Sequence, residues 1–288
     1  MSEVAQVTIG ADYLTTTWPN EIRDTVLQSK RQVMDWAREK SELNGSGNWV
    51  KKWAWQGYEG YSCGPVCCGE RADGCILRLS GIAAHYWLAD GLTAGHNISR
   101  LDIAATVWGV FDQSSVIARH KSDTDEYRKT LQHKPYRVRL IDGVGDGDTL
   151  YIGSRESSLF VRIYDKERAP NSTPEYKGAM RYEAELKEEF AQQAYSRITH
   201  GGYTVAGCRS VLGGILTRRG IDPVSAGCVQ SSYFPDTKIS GNDVERSIKW
   251  LSSQVKPTLQ NLMRMGYEEE ALKALGLDKW WRDYAASA

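Results

Sequence analysis

Between residues 98 and 187 apolar and polar side chains alternate with a period of two, as they do along half-buried strands. Five segments carry the pattern: 98–110, 136–141, 149–152, 159–166 and 180–187. Two strand-to-helix steps precede them. In the first, β-forming residues 12–18 run into Pro19, Asn20 and Glu21, a helix start, and predict a helix to about residue 43. In the second, 75–80 is a short apolar strand ending at Gly81 and 82–90 reads as helix. Between the two steps lie a breaker (NGSGN, 44–48), an aromatic-rich strand over 49–61 and a loop bearing cysteines. Beyond Phe190 the period becomes helical, over 192–199, 204–219, 243–265 with a kink at Pro257, and 268–284. The chain is therefore expected to be α+β: strand–helix units and an antiparallel sheet over 1–215, then a helical region over 216–288 that packs on it.

Each strand divides into two faces. Arg100, Asp102, Ala104 and Thr106 lie opposite Leu101, Ile103, Ala105 and Val107. Arg162, Tyr164 and Lys166 lie opposite Val161 and Ile163, so a phenol sits between two cations that would favour both a tyrosinate and an incoming phosphate. Arg181, Glu183, Glu185 and Lys187 lie opposite Tyr182, Ala184 and Leu186. Two adjacent carboxylates repel unless a cation intervenes, which points to a divalent metal on Glu183 and Glu185 with Asp102 as a third oxygen ligand. Oxygen donors favour Mg2+ or Mn2+ over zinc. A half-exposed antiparallel sheet gives the same alternation without chemistry, so the pattern by itself leaves both readings open.

Composition adds little in favour of DNA. The 288 residues are 41% hydrophobic and carry 36 basic against 36 acidic side chains, so any nucleic-acid contact must be local. No run approaches the roughly 18 apolar residues of a membrane span, and the N-terminus lacks the pattern of a signal peptide, so the expected location is the cytoplasm. Cys63, Cys67, Cys68 and Cys75 cluster with no C-x2-C pair, which suits reduced thiols in ordinary packing better than a zinc site. The glycine- and aspartate-rich stretch 142–148 reads as a hairpin turn. Trp49, Trp53 and Trp55 alternate with Lys51 and Lys52, as core residues or as a single-strand stacking groove. Arg155 and Ser157 offer a guanidinium fork and a hydroxyl to phosphate oxygens, or a turn.

The run YIGSRES at 151–157, continued by RIYDK at 162–166, resembles the signature of the replication initiation factor family, which comprises plasmid rolling-circle initiators, filamentous-phage initiators and relaxases of integrative elements. Further similarities lie at DYL (12–14), LSG (79–81), SRLD (99–102), RYEAE (181–185), and Trp250 with Pro257. Together they span nearly the whole chain. The resemblance implies a roughly five-stranded antiparallel sheet flanked by helices, and a nickase that rejoins one DNA strand through a 5′-phosphotyrosyl link. Tyr164 is then the nucleophile, with Tyr151 its rival and Arg162 and Lys166 as catalytic neighbours. Asp102, Glu183 and Glu185 would hold Mg2+ or Mn2+, and Arg155, Ser157, Arg100 and Arg181 would contact DNA. The partners implied are a replication origin, single-stranded or as supercoiled or hairpin DNA, and a host helicase and polymerase; no membrane is expected, and an oligomer is compatible. Two features depart from the pattern: Thr106 stands where many relatives carry a second aspartate, and His85, His96, His120, His133 and His200 form no His-x-His pair. A non-catalytic origin-binding regulator and a phosphodiesterase of small substrates are the alternatives.

Overall fold

The computed structural model describes residues 6–19, 51–63, 65–72, 74–89, 97–132, 136–143, 147–170, 172–200 and 202–235, with 262, 264–267, 270 and 273 further on. The chain divides into two compact units, Met1–Pro235 and Asp236–Ala288. Residues 20–43 of the first expected helix, most of those over 243–265 and 268–284, and the side chains of Trp49, Lys51, Lys52 and Trp53 lie outside the described residues.

The first unit is built on one sheet. Its strands are β1 (Val7–Pro19), β2 (Lys51–Trp55), β3 (Tyr58–Cys63), β4 (Val66–Arg71), β5 (Gly74–Ser80), β6 (Asn97–Val107), β7 (Val138–Ile141), β8 (Thr149–Ile152), β9 (Leu159–Asp165) and β10 (Met180–Lys187). They order as β2-β3-β4-β5-β1-β6-β10-β9-β8-β7, every pairing antiparallel. The sheet thus has ten strands rather than roughly five. The surplus comes largely from residues 51–80, which form a four-stranded meander on the β1 side. The 49–61 segment turns back on itself at Gln56 and Gly57, both at positive φ (48° and 80°), as a two-residue hairpin turn requires. The cysteine segment expected as loop is β4, with Val66, Cys68 and Gly69 buried.

Among the described residues, four α-helices carry the other half of the core: α1 (Ile82–Ala89), α2 (Gln113–Thr130), α3 (Glu188–Thr199) and α4 (Val205–Thr217). Their buried residues, among them Trp87, Ile117, Ile198 and Leu212, share one cluster with Leu101, Ile103, Ile163, Tyr182 and Leu186 of the sheet. Helix α2 is absent from the sequence expectation. It buries Ile117, His120 and Thr124, so its inward stripe is mostly polar and gives no hydrophobic period. It is fixed instead by its ends: Asp112 accepts a hydrogen bond from the Ser115 amide at 3.1 Å, and Arg128 and Lys129 lie in the last turn. Helix α3 follows β10 with no loop, because Glu188 takes a φ of 52° and turns the chain at once. No helix among the described residues is long and apolar enough to cross a membrane. In the second unit, the Tyr267 amide donates to the Leu262 carbonyl at 3.0 Å around Gly266 at φ 82°, a glycine-terminated helix end.

Candidate active site on the open face of the sheet

The register of β6, β10 and β9 decides which side chains meet. Asp102 pairs with Glu185, Ala104 with Glu183 and Thr106 with Arg181. Across the next ladder Arg162 pairs with Glu183 and Tyr164 with Arg181. Leu101, Ile103, Val161, Ile163, Tyr182 and Leu186 point into the core, so the charged set shares the opposite face. On that face Asp102, Glu183 and Glu185 are nonetheless only 1%, 3% and 7% exposed, because cations lie over them.

Arg100 donates from Nε and Nη2 to both Asp102 oxygens, at 2.8 and 2.6 Å, and its Nη2 is 2.9 Å from Glu185. Lys187 reaches the other Glu185 oxygen at 3.0 Å. Arg162 is hydrogen-bonded to Glu183. Burial pushes the Asp102 carboxyl up to about 7; Arg100 pulls it down, and Glu183 and Glu185 push it up again.

These pairings bear on the metal. Asp102, Glu183 and Glu185 are hard oxygen donors on adjacent strands, of the type that suits Mg2+ or Mn2+; the Asp102 carboxyl is raised mainly by burial, with Glu183 and Glu185 adding to the rise. The side chains as placed turn to arginines, and no three His, Cys, Asp or Glu groups among the described residues converge to hold a metal ion. The donor types suit such an ion, while in this arrangement Arg100 and Arg162 are paired with the carboxylates that would hold it.

Tyr164 is half-buried and flanked by Arg162 and Lys166, but the expected activation by these two is not what the geometry gives. Burial raises its phenol well above the ordinary range and Glu183 adds to the rise; Arg181, then Arg162, oppose it. Arg162 is spent on Glu183, and Lys166 sits 4.6 Å over the Tyr176 ring with its ammonium lowered by burial. The cation that opposes the rise most is Arg181, held from two sides: Nη2 is 2.5 Å from Asp12 and Nη1 donates to Thr106 at 2.9 Å. Asp12 reaches it from a bulge in β1 between Ala11 and Tyr13. Thr106, which the resemblance set against a second aspartate, anchors a guanidinium. Sequence reasoning named Asp12 only as part of a motif; the signal was a lone acid in a strand otherwise free of charge.

Other expected residues have different surroundings. Ser157 Oγ lies 2.6 and 2.7 Å from the Ser154 and Leu159 carbonyls, so its hydroxyl closes the turn rather than waiting for phosphate. Gly153, at φ 101°, is required there because a Cβ would meet the Leu159 carbonyl at 2.8 Å. Arg155 is exposed, and its carbonyl accepts a bond from Lys187. Tyr151 pairs in register with Arg162 and tilts against Phe160, ring centroids 5.4 Å apart. Cys67 is a free thiol whose pKa burial raises.

The profile of the replication initiation factor family matches residues 96–275. The chain belongs to that family. The match begins at β6 and runs through the strands carrying Asp102, Tyr164, Glu183 and Glu185. A solved structure supports the fold: that of a rolling circle replication initiator protein from Geobacillus stearothermophilus, similar at a TM-score of 0.52 and 16% identity over 74% of this chain and 85% of that one. Among curated proteins, no sequence matches this chain.

Proposed function

We propose that this replication initiation factor is a nickase that cuts and rejoins one DNA strand at an origin, by attack of Tyr164 on a backbone phosphate. The observation that carries the reading is the cross-strand set Tyr164–Arg181 and Arg162–Glu183, beside Asp102 and Glu185, on one face of three neighbouring strands. A fixed cation opposite the phenol answers the two needs of the step: it favours loss of the phenolic proton, and it receives a phosphate. The phenol gives up its proton to solvent, the Tyr164 oxygen–phosphorus bond forms, the phosphorus–3′-oxygen bond breaks, and the departing 3′-oxygen takes a proton from solvent to become a hydroxyl that can prime synthesis.

Asp102, Glu183 and Glu185 would hold a Mg2+ or Mn2+ ion, which neutralises charge on the phosphate. Arg100 and Arg162, released from these carboxylates, would then be free to face DNA. Arg181 positions the phenol and phosphate together; Asp12 and Thr106 keep it there. Incubating the protein with supercoiled origin plasmid and either ion should convert it to open circles and leave a protein–DNA adduct. Origin binding without cleavage under any divalent ion would instead support a regulator that keeps the fold.

A further inference from the structure

Beyond Arg181 the open face runs into a cleft of about 480 Å³, bounded by residues 7–12 of β1, the start of α1 and the start of α4. It exists because β5 pairs with β1 only from Tyr13 onward, leaving the first half of β1 without a second neighbouring strand. The Asp12, Thr106 and Arg181 side chains that serve Tyr164 form one wall, and Arg209 of α4 lies on the lining as well.

Arg209 differs from the other arginines of this face. Arg100, Arg162 and Arg181 are each paired with a carboxylate. No carboxylate among the described residues pairs with Arg209, and its Nε, like that of Arg162, is buried without a hydrogen-bond partner. An uncompensated guanidinium in a cleft is suited to an anion. The rim is apolar: Ile82 and Val205, both on the lining, are 51% and 41% exposed. His85 adds a donor. The Tyr203 hydroxyl oxygen accepts from the Ala11 amide at 3.0 Å and from the Cys208 thiol at 3.6 Å. Its own proton therefore goes to His85 Nδ1, 2.9 Å away, and the neutral imidazole carries its hydrogen on Nε2. Burial lowers the His85 pKa in the same sense. Gly10 makes room for this pair, since a Cβ there would fall 2.7 Å from His85 Nδ1 and 3.1 Å from the Tyr203 oxygen.

We infer that this cleft is a nucleotide subsite for single-stranded DNA, Arg209 taking a phosphate and Ile82 and Val205 the face of a base, one step along the strand from the phosphate presented to Tyr164. The inference rests on the nicking reading for its direction along the strand, but its test does not use cleavage.

The probe is a short fluorescein-labelled oligothymidylate, with thymidine 3′,5′-bisphosphate as competitor, bound to the full chain carrying Tyr164→Phe. Arg209→Ala is expected to weaken binding by about tenfold, the loss of one charge-assisted phosphate contact, and Arg209→Lys to recover part of it. Arg209 is partly buried, so a second variant guards against misfolding. Val205→Glu places a carboxylate one turn before Arg209, where it pairs with the guanidinium and suits the helix N-terminus. It should keep or raise Tm while weakening oligonucleotide binding by a similar factor, and Val205→Gln should weaken it less. Wild-type affinity in Val205→Glu, or failure of the bisphosphate to compete, overturns the subsite. If binding falls as expected while the unsubstituted protein forms no adduct with origin DNA, the subsite stands and the nicking reading fails. If the adduct forms while Val205→Glu binds the oligonucleotide as before, the nicking reading stands and the subsite fails.

Discussion

Tyr164 and Arg181 face each other across the β9–β10 ladder, and Arg181 is fixed at that point by Thr106 of the adjacent β6 and Asp12 of β1 beyond it. On the nicking reading proposed above, the half-buried phenol, which burial and Glu183 hold in its neutral form, would depend on such a cation to ionise as phosphate arrives.

Removing one anchor of Arg181 should therefore slow the reaction without unfolding the protein. Thr106→Val is expected to lower the single-turnover rate of adduct formation about fivefold, the equivalent of one hydrogen bond of about 1 kcal/mol, and to move the alkaline limb of the rate profile to higher pH. Thr106→Ser, which keeps the hydroxyl, should restore both. An unchanged pH profile in Thr106→Val would show that Arg181 does not act on the phenol.

Proton and metal should compete at Asp102. Its carboxyl is raised to about 7, burial being the main cause, so without a metal it is protonated below that pH and ionised above it. Mn2+ affinity, measured by calorimetry, should increase as pH rises through about 7. Asp102→Asn should flatten that dependence and weaken binding. Affinity independent of pH from about 6 to about 8 would contradict the role of Asp102 as a ligand.

His120, distant from this chemistry, gives a pH dependence of stability. Burial lowers it to about 4, and its Nε2 pairs with the Tyr182 hydroxyl at 2.9 Å. Because the folded value lies below the unfolded value of about 6.5, the neutral ring's contribution is complete above about 6.5. It is lost as pH falls toward 4, by up to about 1.4 kcal/mol per pH unit. Urea titrations at about pH 7 and about pH 5 should differ accordingly, and His120→Gln should shrink the difference.

Gly214 lies inside α4, where a Cβ would come within 1.8 Å of the Tyr233 carbonyl. Helix propensity alone would make Gly214→Ala stabilising by about 1 kcal/mol. The contact should reverse the sign, to a loss of about 1–3 kcal/mol as the 229–233 segment is pushed away. A rise in the urea midpoint would contradict the packing.

Much of the fold is legible in the sequence because the period-two alternation is a local property. The alternating segments 149–152 and 180–187 have the same bounds as β8 and β10, and the faces of β6, β9 and β10 follow from parity. What the pattern misses depends on partners far along the chain. Helix α2 buries a histidine whose value lies in the Tyr182 hydroxyl it meets. The count of strands depends on a Gln-Gly turn at 56–57 that composition does not announce. In the candidate site, the residue types can be read but not their pairing: Arg162 is expected to serve the phenol and instead holds Glu183, and the arginine opposite Tyr164 comes from another strand. Only the register decides between those arrangements.

Which hydroxyl carries the DNA decides the mechanism. The adduct formed with origin plasmid and Mn2+ should be digested with nuclease and trypsin and its modified peptide identified by mass spectrometry. Cleavage after Arg155 and Arg162 separates Tyr151 from Tyr164. A phosphonucleotide on the peptide of residues 163–166, lost in Tyr164→Phe, is the predicted result. A modification on the peptide that holds Tyr151, or an undiminished adduct in Tyr164→Phe, would contradict it.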